Sequence, residues 1–355
     1  MSLAATLVAG CAIAAPTEST VDSRVTVLPH VPGPGMTVRA DGLEFPRADN
    51  DALLDLAVGD LVVSGAGEGF LRKVDSVAGD PDRIVIATTD AELGDALIDG
   101  SIEGSFGGEG KADTYQLPSI GFSVGNRTVV SNAAMTVNVV GASIALAPEI
   151  DLDLQVAGRQ LSRFEMVVRG KLTGSIDLAI DARDVAVGPD IVLWESPPAV
   201  FYQQLGILPV VETVTTSVHL KLEVIARGEG TVRLHADASA LLEAGLRYDA
   251  GAGWSPVAEL DLQASGRVPQ ASVTFAELGI RAWLVARADV KLYGLAGPYV
   301  AVGPQLEVVR DLVEHDFDGA AGFKGEIGGE LKLGWFNVLR ALPEYELFDR
   351  LDPVF

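Results

Sequence analysis

Val218-His219-Leu220-Lys221-Leu222-Glu223-Val224 places an apolar side chain at every second position and a polar or charged one between. That period of two is the signature of an extended strand with one dry face and one wet face. The alternation recurs along the chain. Ile150, Leu152, Leu154 and Val156 alternate with Asp151, Asp153 and Gln155, while Leu172, Ile176, Leu178 and Ile180 alternate with Lys171, Thr173, Asp177 and Asp181. Val232, Leu234, Ala236 and Ala238 face Arg233, His235, Asp237 and Ser239 in the same way. Leu260, Leu262 and Ala264, then Ala282, Leu284, Ala286, Ala288, Val290 and Leu292, continue it, and the last such run is Phe323 to Trp335. Turn-forming stretches at Gly228-Glu229-Gly230, Tyr248 to Gly253 and Gly294 to Pro298 divide these runs, which predicts local, antiparallel hairpins. A strand with one apolar face needs a second layer to bury it. The expected fold class is therefore mainly β, with long antiparallel strands forming a sandwich or a curled, barrel-like sheet.

Composition agrees with a large folded body. The chain has 355 residues, is 48% hydrophobic and carries 39 glycines, enough for two or three domains. With 49 acidic against 26 basic residues the formal charge is -23, a field that repels phosphate backbones, so nucleic acid is excluded as an expected partner. A transmembrane barrel also alternates. Against one stand few Tyr and Trp residues, the crowding of Glu330 and Lys332 on a single strand, and Asp352-Pro353 as a break in the final strand.

Three regions are predicted. Residues 1–35 are a leader and flexible tether, 36–104 a small β module that precedes the main body, and 105–355 a large antiparallel β domain. Between Thr20 and Pro46 the frequent prolines and glycines suggest an extended lead-in with one short strand. In the module, Asp60 to Ser64, Phe70 to Val77 and Arg83 to Thr89 read as strands, and Ala91 to Gly100 as a helical turn or two behind Asp90 as N-cap. Ser196 to Val211 and Phe336 to Phe355 read as short helices or loops capping an open end of the sheet.

Val8-Ala9-Gly10-Cys11 places the only cysteine behind small residues and an apolar run. This resembles the lipobox of bacterial lipoproteins. The resemblance implies cleavage before Cys11 and acylation of its thiol, with Val8, Ala9 and Gly10 as the recognition residues. Multiple acyl chains hold a protein firmly where one binds only marginally, so such a modification implies a permanent membrane anchor. Pro16-Thr17-Glu18-Ser19-Thr20 is polar and suits a tether. Ala12 behind the cysteine, rather than Asp, implies by the same resemblance the bacterial outer membrane or cell surface, facing outward or into the periplasm. Val58 to Gly65 and Gly69 to Val74, ending in Thr88 to Leu93, resemble a module found ahead of β-rich regions in exported bacterial proteins. That likeness implies a surface context and supplies no catalytic residue.

Motifs for chemistry are sparse. No Gly-x-Ser-x-Gly elbow is present, and with Cys11 assigned to the anchor no cysteine remains as nucleophile, disulfide or metal ligand. His219 and His235 fall on polar faces of strands expected to be neighbours, where cross-strand pairing brings them together, with Glu223 or Asp237 as a third metal ligand. Solvated strand histidines are the plainer reading. Val313 to Asp318, around His315, offers carboxylates for calcium but matches no EF-hand spacing. Gly65 to Gly69 is glycine-rich like a phosphate loop, yet it joins two strands and lacks the Gly-Lys-Ser/Thr ending, which makes it a tight turn. Asp151 and Asp153 are paired by alternation alone and are expected at a solvated edge. Trp194, Trp254, Trp283 and Trp335 suit sugar stacking only if two of them are exposed and coplanar, and Trp283 and Trp335 lie in apolar strands that suggest a core role.

No catalytic residue, metal or cofactor is therefore expected. The leading expectation is a lipid-anchored, non-catalytic binding or structural module that engages an envelope or extracellular protein or glycan. The alternative is a carrier whose sheet curls around a lipid or other apolar ligand, since many inward positions are small. A continuous apolar cavity would mark the carrier and a filled core the module.

Overall fold

The computed structural model describes residues 19–28, 36–39, 41–65, 69–106, 120–146, 148–205, 207–273, 275–293, 298–310, 317–329 and 342–353. Two sheets account for nearly all of them. The first strand, β1 (Thr20–Val21), belongs to the larger sheet. The smaller sheet follows with β2 (Val25–Val27), β3 (Thr37–Arg39), β4 (Gly42–Pro46), β5 (Leu61–Ser64), β6 (Phe70–Gly79) and β7 (Arg83–Asp90), in the order β2-β5-β6-β7-β4-β3. A helical turn, α1 (Leu93–Ala96), then leads directly into β8 (Leu97–Phe106), which returns to the larger sheet.

The larger sheet continues with β9 (Ile120–Ser131), β10 (Met135–Leu146), β11 (Glu149–Ala157), β12 (Gln160–Val187), β13 (Asp190–Glu195) and β14 (Ala199–Leu205). It ends with β15 (Leu208–Asp249), β16 (Gly253–Val273), β17 (Glu277–Leu292), β18 (Pro298–Arg310), β19 (Phe317–Gly329) and β20 (Leu342–Pro353). At 42 residues β15 is far longer than the ~3–10 usual for a strand, and it is the spine of the molecule. Its first half pairs with β13 and β14 on one side and β17 on the other, and its second half with β12 and β16.

The change from β17 to β16 happens at Gly228. There the backbone takes φ +97, open to glycine and hard for other residues, and the amide donates to Asp184 Oδ1 at 2.8 Å. Opposite it, the β12 ladder shifts register between Arg183 and Val185. Gly228-Glu229-Gly230, expected to be a turn between two strands, is instead a corner inside one strand. A bend and a bulge are how one strand passes between two packed layers.

The two halves of the sheet stack face to face. β12 packs on β18, and β16 on β19 and β20, although none of these pairs shares a ladder. The path from β1 to β20 stays open, so the mainly-β fold is sandwich-like rather than a closed barrel. Alternation places Leu220, Leu222, Val224, Val232, Leu234 and Ala236 of β15 in one shared core with Leu172, Ile176 and Leu178 of β12 and with Leu284, Leu306 and Phe323. The layers approach closely at Gly174. A Cβ there would lie 2.7 Å from the Pro304 Cγ of β18. Gly174→Ala is expected to lower stability by about 1–2 kcal/mol, read as a reduced urea midpoint at unchanged slope.

The smaller sheet carries its own core of Leu43, Phe45, Val62, Phe70, Val74, Ile84 and Ile86. Leu61, Val63 and Leu71 point the other way, into the large core beside Val210 and Val211. β5 is thus buried on both faces. Polar contacts secure the same junction. Asp22, buried behind β1, accepts from the Arg24 side chain at 3.0 Å and the Arg24 amide at 2.9 Å, and from Arg159 Nη2. These donors hold the Asp22 carboxyl well below the usual carboxylate range. Arg159 occupies the tight β11–β12 turn at φ +66 and also donates to the Gly94 and Asp95 carbonyls, each at 3.1 Å.

Several local expectations are corrected. The lead-in from Thr20 holds four short strands, not one, and Leu97 to Gly100 is strand rather than helix. Ser196 to Val211 contains β14 and the start of β15. Leu208-Pro209-Val210-Val211 hides its strand character because both faces are covered there, which erases the alternation. The tail forms β20, whose Pro343 and Pro353 are tolerated because an edge strand needs no ladder partner on its open side. Asp352 and Pro353 are the last residues of β20, and the residues that follow them lie outside the described ones.

Candidate functional site

Cys11, Val8, Ala9 and Gly10 lie outside the described residues, as do His315, Glu330, Lys332 and Trp335 and positions 66–68 of the glycine-rich turn. His219 and His235 do not meet. Both lie on β15, sixteen positions apart and on opposite sides of the Gly228 corner, so the expected pair of neighbouring strands is one strand in two layers. Each already has partners. His219 bonds Ser217 at 3.0 Å and Asp190 at 3.1 Å, and His235 bonds Asp237 at 2.9 Å. No group of three His, Cys, Asp or Glu side chains able to hold a metal occurs among the described residues.

Asp151 and Asp153 stand on β11, which is paired on both sides and is not an edge. They belong to an ion-pair ladder across the outer face. Arg169 bridges Asp151 and Glu243, and Arg163 bridges Asp153 and Glu165. Trp254 packs on Tyr248 and Phe164, with ring centroids 5.0 and 5.7 Å away. Trp194 is exposed.

Trp283 is the exception. Period two gives it the polar phase of β17, with Arg281 and Arg287, while Ala282, Leu284 and Ala286 fill the core. It is only 5% exposed, but on the outer face of its layer, where side chains from neighbouring strands cover it. Lys221 stands directly opposite it on β15 and Gln305 directly opposite on β18. Lys221 Nζ lies 4.7 Å and Lys324 Nζ 5.4 Å from the ring centroid, within cation–π range. Next along the row comes Gly322 of β19, which adds no side chain beside Gln305.

These residues line a groove of about 570 Å³, within the ~300–1,000 Å³ typical of small-ligand sites. Ala186, Val187, Gly188 and Ile225 also line it, with Ile225 about 40% exposed on the same face of β15 as Lys221. Each lining cation has a carboxylate partner. Glu326 binds Lys221 at 3.4 Å and Lys324 at 3.2 Å, and Glu307 binds Arg281 at 2.9 Å. Burial pulls the Lys324 ammonium down, yet Glu326 and Glu346 outweigh this and hold it above its ordinary value.

Two residues of the groove carry a buried polar atom that has no partner. The Gln305 side chain is 1% exposed, and its amide nitrogen donates to the Asp349 carboxylate and the Phe323 carbonyl. Both partners are acceptors, which fixes the amide orientation and leaves Oε1 unpaired. The Trp283 indole N–H is likewise unpaired. An unmet buried polar atom costs about 1–3 kcal/mol, so two on facing residues are a feature to be explained.

Among the unpaired buried side-chain atoms elsewhere, one belongs to a titratable acid. Glu212 sits on the core face of β15, 1% exposed, opposite Phe201 of β14. Its Oε1 has no partner, and burial pushes the carboxyl up to about 8. The nearby Tyr293 hydroxyl donates to the Pro209 carbonyl at 2.7 Å. Glu212 lines none of the grooves found among the described residues, and burial favours its neutral form.

Sequence reasoning assigned Trp283 to the core and passed over Gln305. The alternation itself carried the signal for Trp283, through its phase with Arg281 and Arg287. No family model, curated protein or solved structure matches this chain.

Proposed function

We propose that this protein is a lipid-anchored, non-catalytic binding module of the bacterial envelope, tethered through Cys11 and engaging its partner through the outer sheet face around Trp283. The observation that carries the binding role is the Gln305–Trp283 pair, two residues of a ligand-sized groove that each keep a buried polar atom without a partner. The anchor rests on Val8-Ala9-Gly10-Cys11 and the polar stretch behind it. Close contact of the two layers at Gly174 and Pro304 supports a module over a lipid carrier, which needs space between its layers.

Intact mass measurement of the protein extracted in mild detergent from its native host tests the anchor. The expected species begins at Cys11 and carries acyl chains, with no co-extracted lipid beyond the detergent belt. An unmodified Cys11 in mature protein overturns the anchor, and stoichiometric lipid that survives delipidation overturns the module in favour of the carrier.

A further inference from the structure

The binding-module reading leaves the ligand open, and the groove chemistry narrows it. Gln305 Oε1 requires a donor and the Trp283 N–H an acceptor, on residues directly opposite each other on β17 and β18. A simple anion meets only the second need and a simple cation only the first. The lining cations Lys221, Lys324 and Arg281 are outnumbered by the carboxylates of Glu223, Glu307, Glu326 and Glu346 paired with them, so the groove offers no free positive charge to an anion. An extended peptide fits poorly. β15, β17, β18 and β19 are each paired on both sides around the groove, leaving no free backbone to satisfy the remaining amides of a peptide. A hydroxyl group is donor and acceptor at once and rotates to suit its surroundings.

The groove also has an apolar part. Ile225, four positions from Lys221 on the same face of β15 and exposed, presents the kind of surface that the C–H face of a sugar ring covers. Resting over the indole, Lys221 and Lys324 occupy the position a ligand must reach, but each sits on a flexible stem, and lysine donors re-aim readily toward hydroxyl oxygens.

We propose that this groove recognises a neutral saccharide, whose hydroxyls supply both the donor that Gln305 Oε1 lacks and the acceptor that the Trp283 indole lacks. The proposal rests on the binding-module reading and adds to it the class of ligand. Calorimetric titration of the full chain tests it, with chitotriose, cellotriose and maltotriose as neutral probes and with a sulfated trisaccharide and triglycine as contrasts. At least one neutral trisaccharide is expected to bind saturably. Trp283→Phe, which keeps an aromatic ring and removes only the N–H donor and some bulk, is expected to weaken binding about tenfold. Ile225→Asp, an exposed change that leaves the core untouched, is expected to weaken it by a similar factor and keeps the test valid if the tryptophan variant fails to fold.

Absence of binding by every neutral probe at about 10 mM, a range that still detects millimolar affinity, overturns the proposal. So does binding that both folded variants leave unchanged. Binding of the sulfated probe or triglycine alone overturns the ligand class while leaving the groove a binding site. Shortened sugar products in the titrated mixture overturn the non-catalytic reading and leave saccharide recognition standing.

Discussion

Glu212→Gln is expected to raise stability by roughly 5 kcal/mol at pH 9 while changing little at pH 4. The acid is buried on an apolar sheet face without a partner for Oε1, and folding pushes its carboxyl from the ordinary 4.5 up to about 8. A group whose folded value is raised favours the folded state while it stays protonated in both states, below about pH 4.5. Between that point and about pH 8 the unfolded chain ionises first and stability falls, and above about pH 8 the loss is complete. Glutamine has nearly the same shape and does not titrate. Urea unfolding of the two proteins from pH 4 to pH 9 should therefore diverge progressively. Parallel curves across that range would mean that water or an unseen partner reaches the carboxylate.

Loss of the Asp22 carboxylate should loosen the seam between the two sheets. Its partners are the Arg24 side chain and amide and the Arg159 guanidinium, and Arg159 also holds the carbonyls of α1. Charge-assisted hydrogen bonds to a buried carboxylate are worth more than neutral ones, but both arginines reach solvent and recover part of the loss. Asp22→Ala is expected to destabilise by about 2–3 kcal/mol. Hydrogen exchange should locate the effect. Amides of Asp22 to Leu28 and of Ala96 to Asp99 should exchange faster, while those of Leu172 to Ile180 in the sandwich keep their protection. Faster exchange spread evenly over both sheets would contradict a local seam. Acid acts in the same direction, because the depressed carboxyl contributes at neutral pH and its contribution drains away as pH falls below the ordinary carboxylate range.

Both effects sit near β5 and the start of β15, where the small sheet meets the large one. There Val211 lies against Gly69, where a Cβ would approach within 2.6 Å, and the run from Leu208 to Val214 is buried on both faces. A strand covered on both sides loses its alternation, so this segment read as loop or helix from sequence even though it carries the most buried part of the spine. Pro343 and Pro353 of β20 are the opposite case. They break ladders inside a sheet, and only the placement of β20 at an edge makes them harmless.

The sequence by itself determined the mainly-β class, the antiparallel pairing and which side chains of most strands face the core, because period two is a local property of the backbone. It determined the phase of Trp283 as well, though not what covers the ring. Tertiary structure alone decided that Gly228 is a corner rather than a turn, and this one choice separates His219 from His235 and puts them in different layers. It likewise decided that Lys221, Trp283, Gln305 and Lys324, drawn from four strands spread over about a hundred residues, share one groove. Strand order and register set such meetings, and both are settled by how two apolar faces bury each other, a contest between distant segments that no local spacing records.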